Sequence, residues 1–149
     1  MDKTAQAAAL RFLKYGPCSI AELKEKLTAK GFSSKDIETT MLDLMASGLL
    51  DDRAFTKSWI NYRLARPFGF RRIIRELKAK GIDQEIIEQA VAEIRGEYNP
   101  ESVALDLAQR RWQRLPDIDV QKKRKRVLDF LLRRGFEIDL AIKVLKKIK

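Results

Sequence analysis

The side chains in this sequence best equipped for chemistry are guanidinium and ammonium groups. "QKKRKR" sets five basic residues in a row, Lys122, Lys123, Arg124, Lys125 and Arg126, and "RRIIRELKAKGI" spreads Arg71, Arg72, Arg75 and Lys78 at helical spacing. Such groups recognise oxyanions, arginine with a bidentate fork and lysine as a point charge. Residues that bond-breaking chemistry usually draws on are scarce. Histidine is absent, which removes the commonest general base and metal ligand, and the single cysteine, Cys18, excludes an internal disulfide. Asp51 and Asp52 are adjacent carboxylates with no histidine or ligand constellation around them, so they read as helix caps. The chain therefore reads as a non-enzyme with no cofactor and no metal.

Lysine and arginine outnumber acids 31 to 21, a net charge of +10, which favours an anionic partner such as nucleic acid, an acidic protein face or anionic lipid. Residues 1–50 hold 7 basic and 6 acidic residues, 51–97 hold 10 and 8, and 98–149 hold 14 and 7, so the last third carries most of the field. Along residues 70–80, Phe70, Ile73, Ile74 and Leu77 form an apolar face. One stripe beside it, Arg72, Glu76 and Lys80, alternates in sign and can pair along the helix, as a solvated structural face does. The other, Arg71, Arg75 and Lys78, has no acid; with Arg63 and Arg66 upstream it is a candidate contact for something negative. The run from Lys122 to Arg126 falls at the start of a predicted helix, where the dipole disfavours cations, and that placement calls for an anionic partner. Arg110, Arg111 and Arg114 precede it and Arg133 and Arg134 follow, extending the patch over two helices.

The elements that must position these groups are written three times. "LKEKLTAKGF", "IIRELKAKGI" and "VLDFLLRRGF" align on Gly31, Gly81 and Gly135, spacings of 50 and 54 residues. Each has leucine four residues before its glycine, a basic residue immediately before and an apolar residue after, the pattern of a helix ended by a left-handed glycine. Ser19 and Glu22 form a capping box ahead of Leu23; Ser33 or Ser34, Asp83 and the Asn99–Pro100 pair open further helices. A helix precedes each aligned one, with Leu10 and Leu13 in the first copy, Phe55, Trp59 and Tyr62 in the second, and Val103, Leu107 and Trp112 in the third. The two tryptophans, Phe55 and Tyr62 read as core rather than base-stacking platforms. Met45 in the first copy, and Ile138 and Ile142 in the last, are placed on apolar faces by the same periodicity.

No segment alternates with a period of two. The expected fold is all-α, nine helices in three tandem three-helix repeats at 1–50, 51–97 and 98–149, stacked into an elongated, curved array. Residues 21–52 also read as the helix-turn-helix of a winged DNA-binding domain, but "DDRAFTKSWINYRLA" reads as a helix where a wing needs a hairpin. No apolar run approaches the roughly 20 residues that cross a bilayer. Arg11 and Lys14 interrupt the N-terminal stretch that a secretory signal would need, so the expected compartment is the cytoplasm.

The order of motifs, "CSIAELKEKLTAKGF", "GLLDDRAFTKSWINYRLARPFGFRRIIRELKAKGI" and "VLDFLLRRGFEIDLAI", resembles the RecX family, bacterial regulators of the RecA recombinase, over essentially the whole chain. The central match is the most specific, with Gly48, Leu49, Asp51, Asp52, Phe55, Arg63, Gly69, Arg72, Ile73, Glu76, Leu77, Lys80, Gly81 and Ile82 in the family's order and spacing. Phe70 departs from the small residue or proline often found there, and the N-terminal extension is short. The resemblance implies tandem three-helix repeats, no enzymatic activity and a monomer bound in the groove of the RecA filament on single-stranded DNA. It further implies modulation, usually inhibition, of RecA's ATPase, strand-exchange and coprotease functions, and leaves room for weak direct DNA binding. The alternative class is a helix-turn-helix transcriptional regulator.

Overall fold

The computed structural model describes residues 4–148. Among them are nine helices and no strand: α1 (Ala5–Tyr15), α2 (Ile20–Ala29), α3 (Ser34–Ala46), α4 (Asp52–Leu64), α5 (Phe70–Ala79), α6 (Gln84–Arg95), α7 (Pro100–Arg114), α8 (Val120–Arg133) and α9 (Ile138–Lys147). Helix α4 occupies the place where a winged domain would have its hairpin, which removes the structural basis of that reading.

The helices start and stop where local chemistry dictates. Thr4, Ser33 and Asn99 each accept a backbone N–H of the first turn that follows, and Ser19 with Glu22 forms the full capping box. The three aligned glycines have φ of 90° (Gly31), 78° (Gly81) and 96° (Gly135), the left-handed region that the repeat pattern requires. At each, the N–H after glycine donates to the carbonyl of the leucine four residues before it: Phe32 to Leu27, Ile82 to Leu77, Phe136 to Leu131. The recurring leucine is thus the receiving position of a Schellman motif as well as a core residue. A fourth such stop, Gly48 with Leu49 N–H on Leu44, ends α3.

The chain divides into two compact units, the first comprising residues up to Trp59 with Leu77–Ala90, the second Ile60–Glu76 with the residues from Val91 onward. The division runs through the middle three helices. It also sorts the charge: the first unit has 11 basic and 11 acidic residues, the second 20 and 10, so the entire +10 belongs to the second.

In the first unit α1, α2 and α3 pack around Ala8, Ala9, Leu23, Leu27, Ile37, Met41 and Leu44. In the second, α7, α8 and α9 pack around Ala104, Ala108, Val127, Leu131, Phe136, Ala141 and Val144. The first helix of each trio buries alanines rather than its larger residues, because a small side chain lets helices approach closely. Leu10 is accordingly exposed, as are Met45, Ile138 and Ile142, which periodicity alone places on apolar faces. Phe55 is buried and Trp59 and Trp112 are half-buried, whereas Tyr62 is 47% exposed and is not core.

Within the first unit, the start of α2 meets the end of α5. The fully buried Ser19 hydroxyl donates to the Lys80 carbonyl (2.6 Å) while accepting the Glu22 N–H, and the Lys80 ammonium lies 3.3 Å from the Glu22 carboxylate. Lys80 therefore pairs between helices. Burial works to raise the Glu22 pKa, but the Ser19 N–H bond and the Lys80 charge outweigh it and hold the carboxyl below its usual range. Asp51 caps α4 through the N–H groups of Arg53 and Ala54. Asp52 does not cap its own helix; it accepts the Ile20 N–H (2.8 Å) and so caps α2. Burial, with Asp51 and Glu22 close by, raises the Asp52 pKa against the opposing effect of that bond.

Candidate anion-recognition surface

In the second unit the end of α4, the "RPFG" loop and the start of α5 meet the end of α8. Carbonyls at a helix C-terminus lack intrahelical donors, and N–H groups at an N-terminus lack acceptors. Here they satisfy each other: Gly69 N–H donates to Arg134 O (2.7 Å) and Arg71 N–H to Gly135 O (3.1 Å). The approach leaves no room for a β-carbon. One at Gly69 would overlap the Gly135 carbonyl group and lie 2.6 Å from Phe136 N, and one at Gly135 would overlap the Arg72 side chain and lie 2.6 Å from Arg72 N.

This backbone junction gathers arginines around Phe68. The guanidinium carbons of Arg63, Arg72 and Arg134 lie 3.9, 4.3 and 5.0 Å from its ring centroid. Arg63, 15% exposed, holds both oxygens of Glu76 (2.9 and 2.6 Å). Arg72 lies 3.6 Å from the same carboxylate and donates to Arg133 O, and Arg134 donates to Arg66 O. Arg66 is exposed and stacks on the Tyr62 ring at 3.9 Å. Arg71 and Arg75 are exposed on α5, as is Lys78 further along that helix, and Arg133 is exposed at the end of α8. Two of these arginines, Arg63 and Arg72, share the Glu76 carboxylate.

Sequence order groups these residues differently. It joins Arg133 and Arg134 to the run from Lys122 to Arg126, but the fold carries Arg134 to Phe68, beside Arg63 and Arg72. Nothing in local sequence announces that meeting, because it spans 66 positions of chain from Phe68 to Arg134. The Phe68 ring and the exposed Tyr62 are the members that periodicity overlooks.

The second basic group occupies the other end of α8. Its first turn has no acidic residue, and Asp119 makes no side-chain capping bond there. Lys122, Lys125 and Arg126 are exposed. Lys123 sits over the Trp112 ring at 4.9 Å, and Arg124 donates to Leu145 O. On α7, Arg110 pairs with Asp106 (3.1 Å), Arg111 lies over Phe130 at 5.3 Å and Arg114 is exposed. Lys123, Arg124 and Arg111 are thus drawn inward against ring or backbone, and Arg110 has an acid one turn away. Elsewhere in the unit, Glu101 accepts hydrogen bonds from Lys147 and Lys143, which hold its carboxyl below the usual range.

Among the described residues there is no group of three or more histidine, cysteine or carboxylate side chains able to hold a metal, and no helix long and apolar enough to cross a membrane. The arrangement is suited to binding anions.

Three family models match in succession: "RecX, first three-helix domain" over residues 5–44, the second domain over 51–91 and the third over 100–145. Regulatory protein RecX of Legionella pneumophila is 32% identical over 145 residues, spanning 95% of this chain and 93% of that protein. Regulatory protein RecX of Amycolatopsis mediterranei is 33% identical over 127 residues, 85% of this chain and 72% of the relative. The crystal structure of RecX from Lactobacillus salivarius superposes with a TM-score of 0.83 at 22% identity, covering 97% and 94% of the two chains, and supports the same fold. Three consecutive three-helix repeats, matched end to end by family models and by relatives of comparable length, establish that this chain belongs to the RecX family.

Proposed function

We propose that this chain is a non-enzymatic regulator of the RecA recombinase. It lodges in the groove of the RecA filament on single-stranded DNA and lowers RecA's ATPase, strand-exchange and coprotease activities. Family membership over nearly the whole length carries this reading, since the relatives are themselves regulatory proteins. The charge distribution supports it: a neutral first unit and a second unit of net +10 suit a nucleoprotein partner, which offers both protein surface and phosphate. The exposed Arg66, Arg71, Arg75, Arg133, Lys122, Lys125 and Arg126 supply the attraction. Arg63, held by Glu76, shapes the surface from beneath.

RecA ATP hydrolysis on single-stranded DNA tests the proposal. Adding this chain at concentrations well below that of RecA is expected to slow hydrolysis in proportion to the chain added. Unchanged hydrolysis, together with footprinting on one preferred duplex sequence, would support the transcriptional-regulator reading instead.

A further inference from the structure

We infer that copies of this chain bind one another, an exposed apolar stripe on α3 of one copy meeting a second stripe on α9 of the next. The contact goes beyond the regulatory reading and does not depend on it.

Nine large apolar side chains are exposed among the described residues, and five of them fall on these two stripes. Leu42 and Met45 stand on the outer side of α3, and Leu49, fixed just past its end by the bond from its N–H to Leu44 O, extends the line at helical spacing. Ile138 and Ile142 stand one turn apart on α9. Neither stripe belongs to a core, which α3 meets with Ile37, Met41 and Leu44 and α9 with Ala141, Val144 and Leu145. The α3 stripe borders a groove of about 460 Å³ against α2, with Ile20, Ile37, Met41 and Leu42 in its walls, so an incoming side chain finds a concave seat.

Charge selects a second copy as the occupant and sets its direction. Each stripe ends in an exposed ion with no ion pair among the described residues: Glu38, one turn before Leu42, and Lys146, one turn after Ile142. The other two lysines of α9, Lys143 and Lys147, are held by Glu101. With the two helices antiparallel, Ile142 falls between Leu42 and Met45, Ile138 between Met45 and Leu49, and Lys146 beside Glu38. The helix dipoles then attract. A parallel arrangement would oppose the dipoles and carry Lys146 away from Glu38. A phosphate backbone gains nothing from five apolar side chains and a carboxylate. Because the two faces differ, each copy offers one of each, and the contact is heterologous. Two helix faces make less than a standard interface, so the association is weak, with Kd above about 1 µM.

Sedimentation equilibrium of the whole chain, free of nucleic acid and at concentrations up to about 1 mM, provides the test. The average mass should climb reversibly above the 17.2 kDa of one copy. Copies of net charge +10 repel, so moderate salt should strengthen the association, the reverse of its effect on phosphate contacts. Leu42→Glu and Ile142→Glu should each weaken it at least about tenfold. Mixed in equal amounts, these two variants should associate again, because the first keeps an intact α9 stripe and the second an intact α3 stripe. Glu38→Lys should weaken it roughly threefold, and Lys146→Glu in the same chain should recover that loss. Thermal unfolding checks that each variant is folded, as substitution at exposed positions allows.

A wild-type chain that stays at the mass of one copy throughout would overturn the contact. So would folded variants that associate like the wild type, or that fail to complement when mixed. RecA ATPase assays on Leu42→Glu and Ile142→Glu keep the two readings apart. Lost inhibition with unchanged self-association would assign the stripes to RecA and sink the contact between copies. A chain that associates and complements but never inhibits RecA keeps the contact and loses the regulatory reading.

Discussion

Alanine at Gly69 or Gly135 is expected to destabilise the chain by about 3 kcal/mol or more, against about 1 kcal/mol for alanine at Gly31. The difference comes from surroundings rather than residue type. At Gly31 the strain is purely conformational: φ is +90°, and nothing lies within 4 Å of an added β-carbon. A left-handed non-glycine residue costs roughly 1–2 kcal/mol. At Gly135 a comparable strain, from φ of +96°, is joined by overlap with Arg72. Gly69 has no such φ, but its β-carbon would strike the backbone around Gly135 and Phe136, which cannot move aside as a flexible side chain would. Overpacking of that kind costs about 1–3 kcal/mol, and here it would also part the Gly69 N–H from Arg134 O. Urea unfolding followed by circular dichroism checks the ranking. Equal losses at Gly31 and Gly69 would mean that the helix ends do not meet as described.

The second large effect concerns Glu76, where stability and binding should move in opposite directions. Its pair with Arg63 is bidentate and mostly shielded, at 15% and 23% side-chain exposure. Exposed pairs contribute at most about 1 kcal/mol, and breaking a buried one costs about 3–5 kcal/mol. Glu76→Gln should therefore cost about 2 kcal/mol. The same change removes the negative charge that Arg63 and Arg72 share. A unit charge ~8 Å from a bound phosphate in a near-aqueous dielectric is worth about 0.5–1 kcal/mol, so affinity for anions should rise roughly two- to fivefold. Thermal unfolding and poly(dT) anisotropy on one preparation give both readouts. A variant that loses stability and affinity together would show that Glu76 holds the arginines in place more than it neutralises them.

The repeat was legible because its signals are local. A leucine, a cation, a glycine and an apolar residue at fixed offsets specify a Schellman stop wherever they occur, and Ser19, Ser33 and Asn99 sit where helices must begin. Burial was less legible where alanine replaced large residues as the packing surface: Ala8 and Ala9 carry the face that leucine counting assigns to Leu10, and Ala104 and Ala108 are the fully buried residues of α7 while Leu107 packs half-buried beside them. The basic residues were legible as a set but not as a site. Spacing separates Arg71, Arg75 and Lys78 from the half-buried Arg72, Glu76 and Lys80, and their exposures follow that separation. Which cations meet across the fold depends on the two helix ends that Gly69 and Gly135 bring together, a long-range approach that periodicity does not encode.

Retention of this chain on RecA filaments assembled on single-stranded DNA, compared with the same DNA bare, across a salt series, tests the regulatory account most directly. Binding to bare DNA rests on phosphate contacts alone and should fall steeply as salt rises. On the proposed account, binding to the filament adds protein surface met by the first unit, whose net charge is zero, and should persist at salt concentrations that strip the chain from bare DNA. Equal loss from both, or no retention on the filament at any salt, would contradict it.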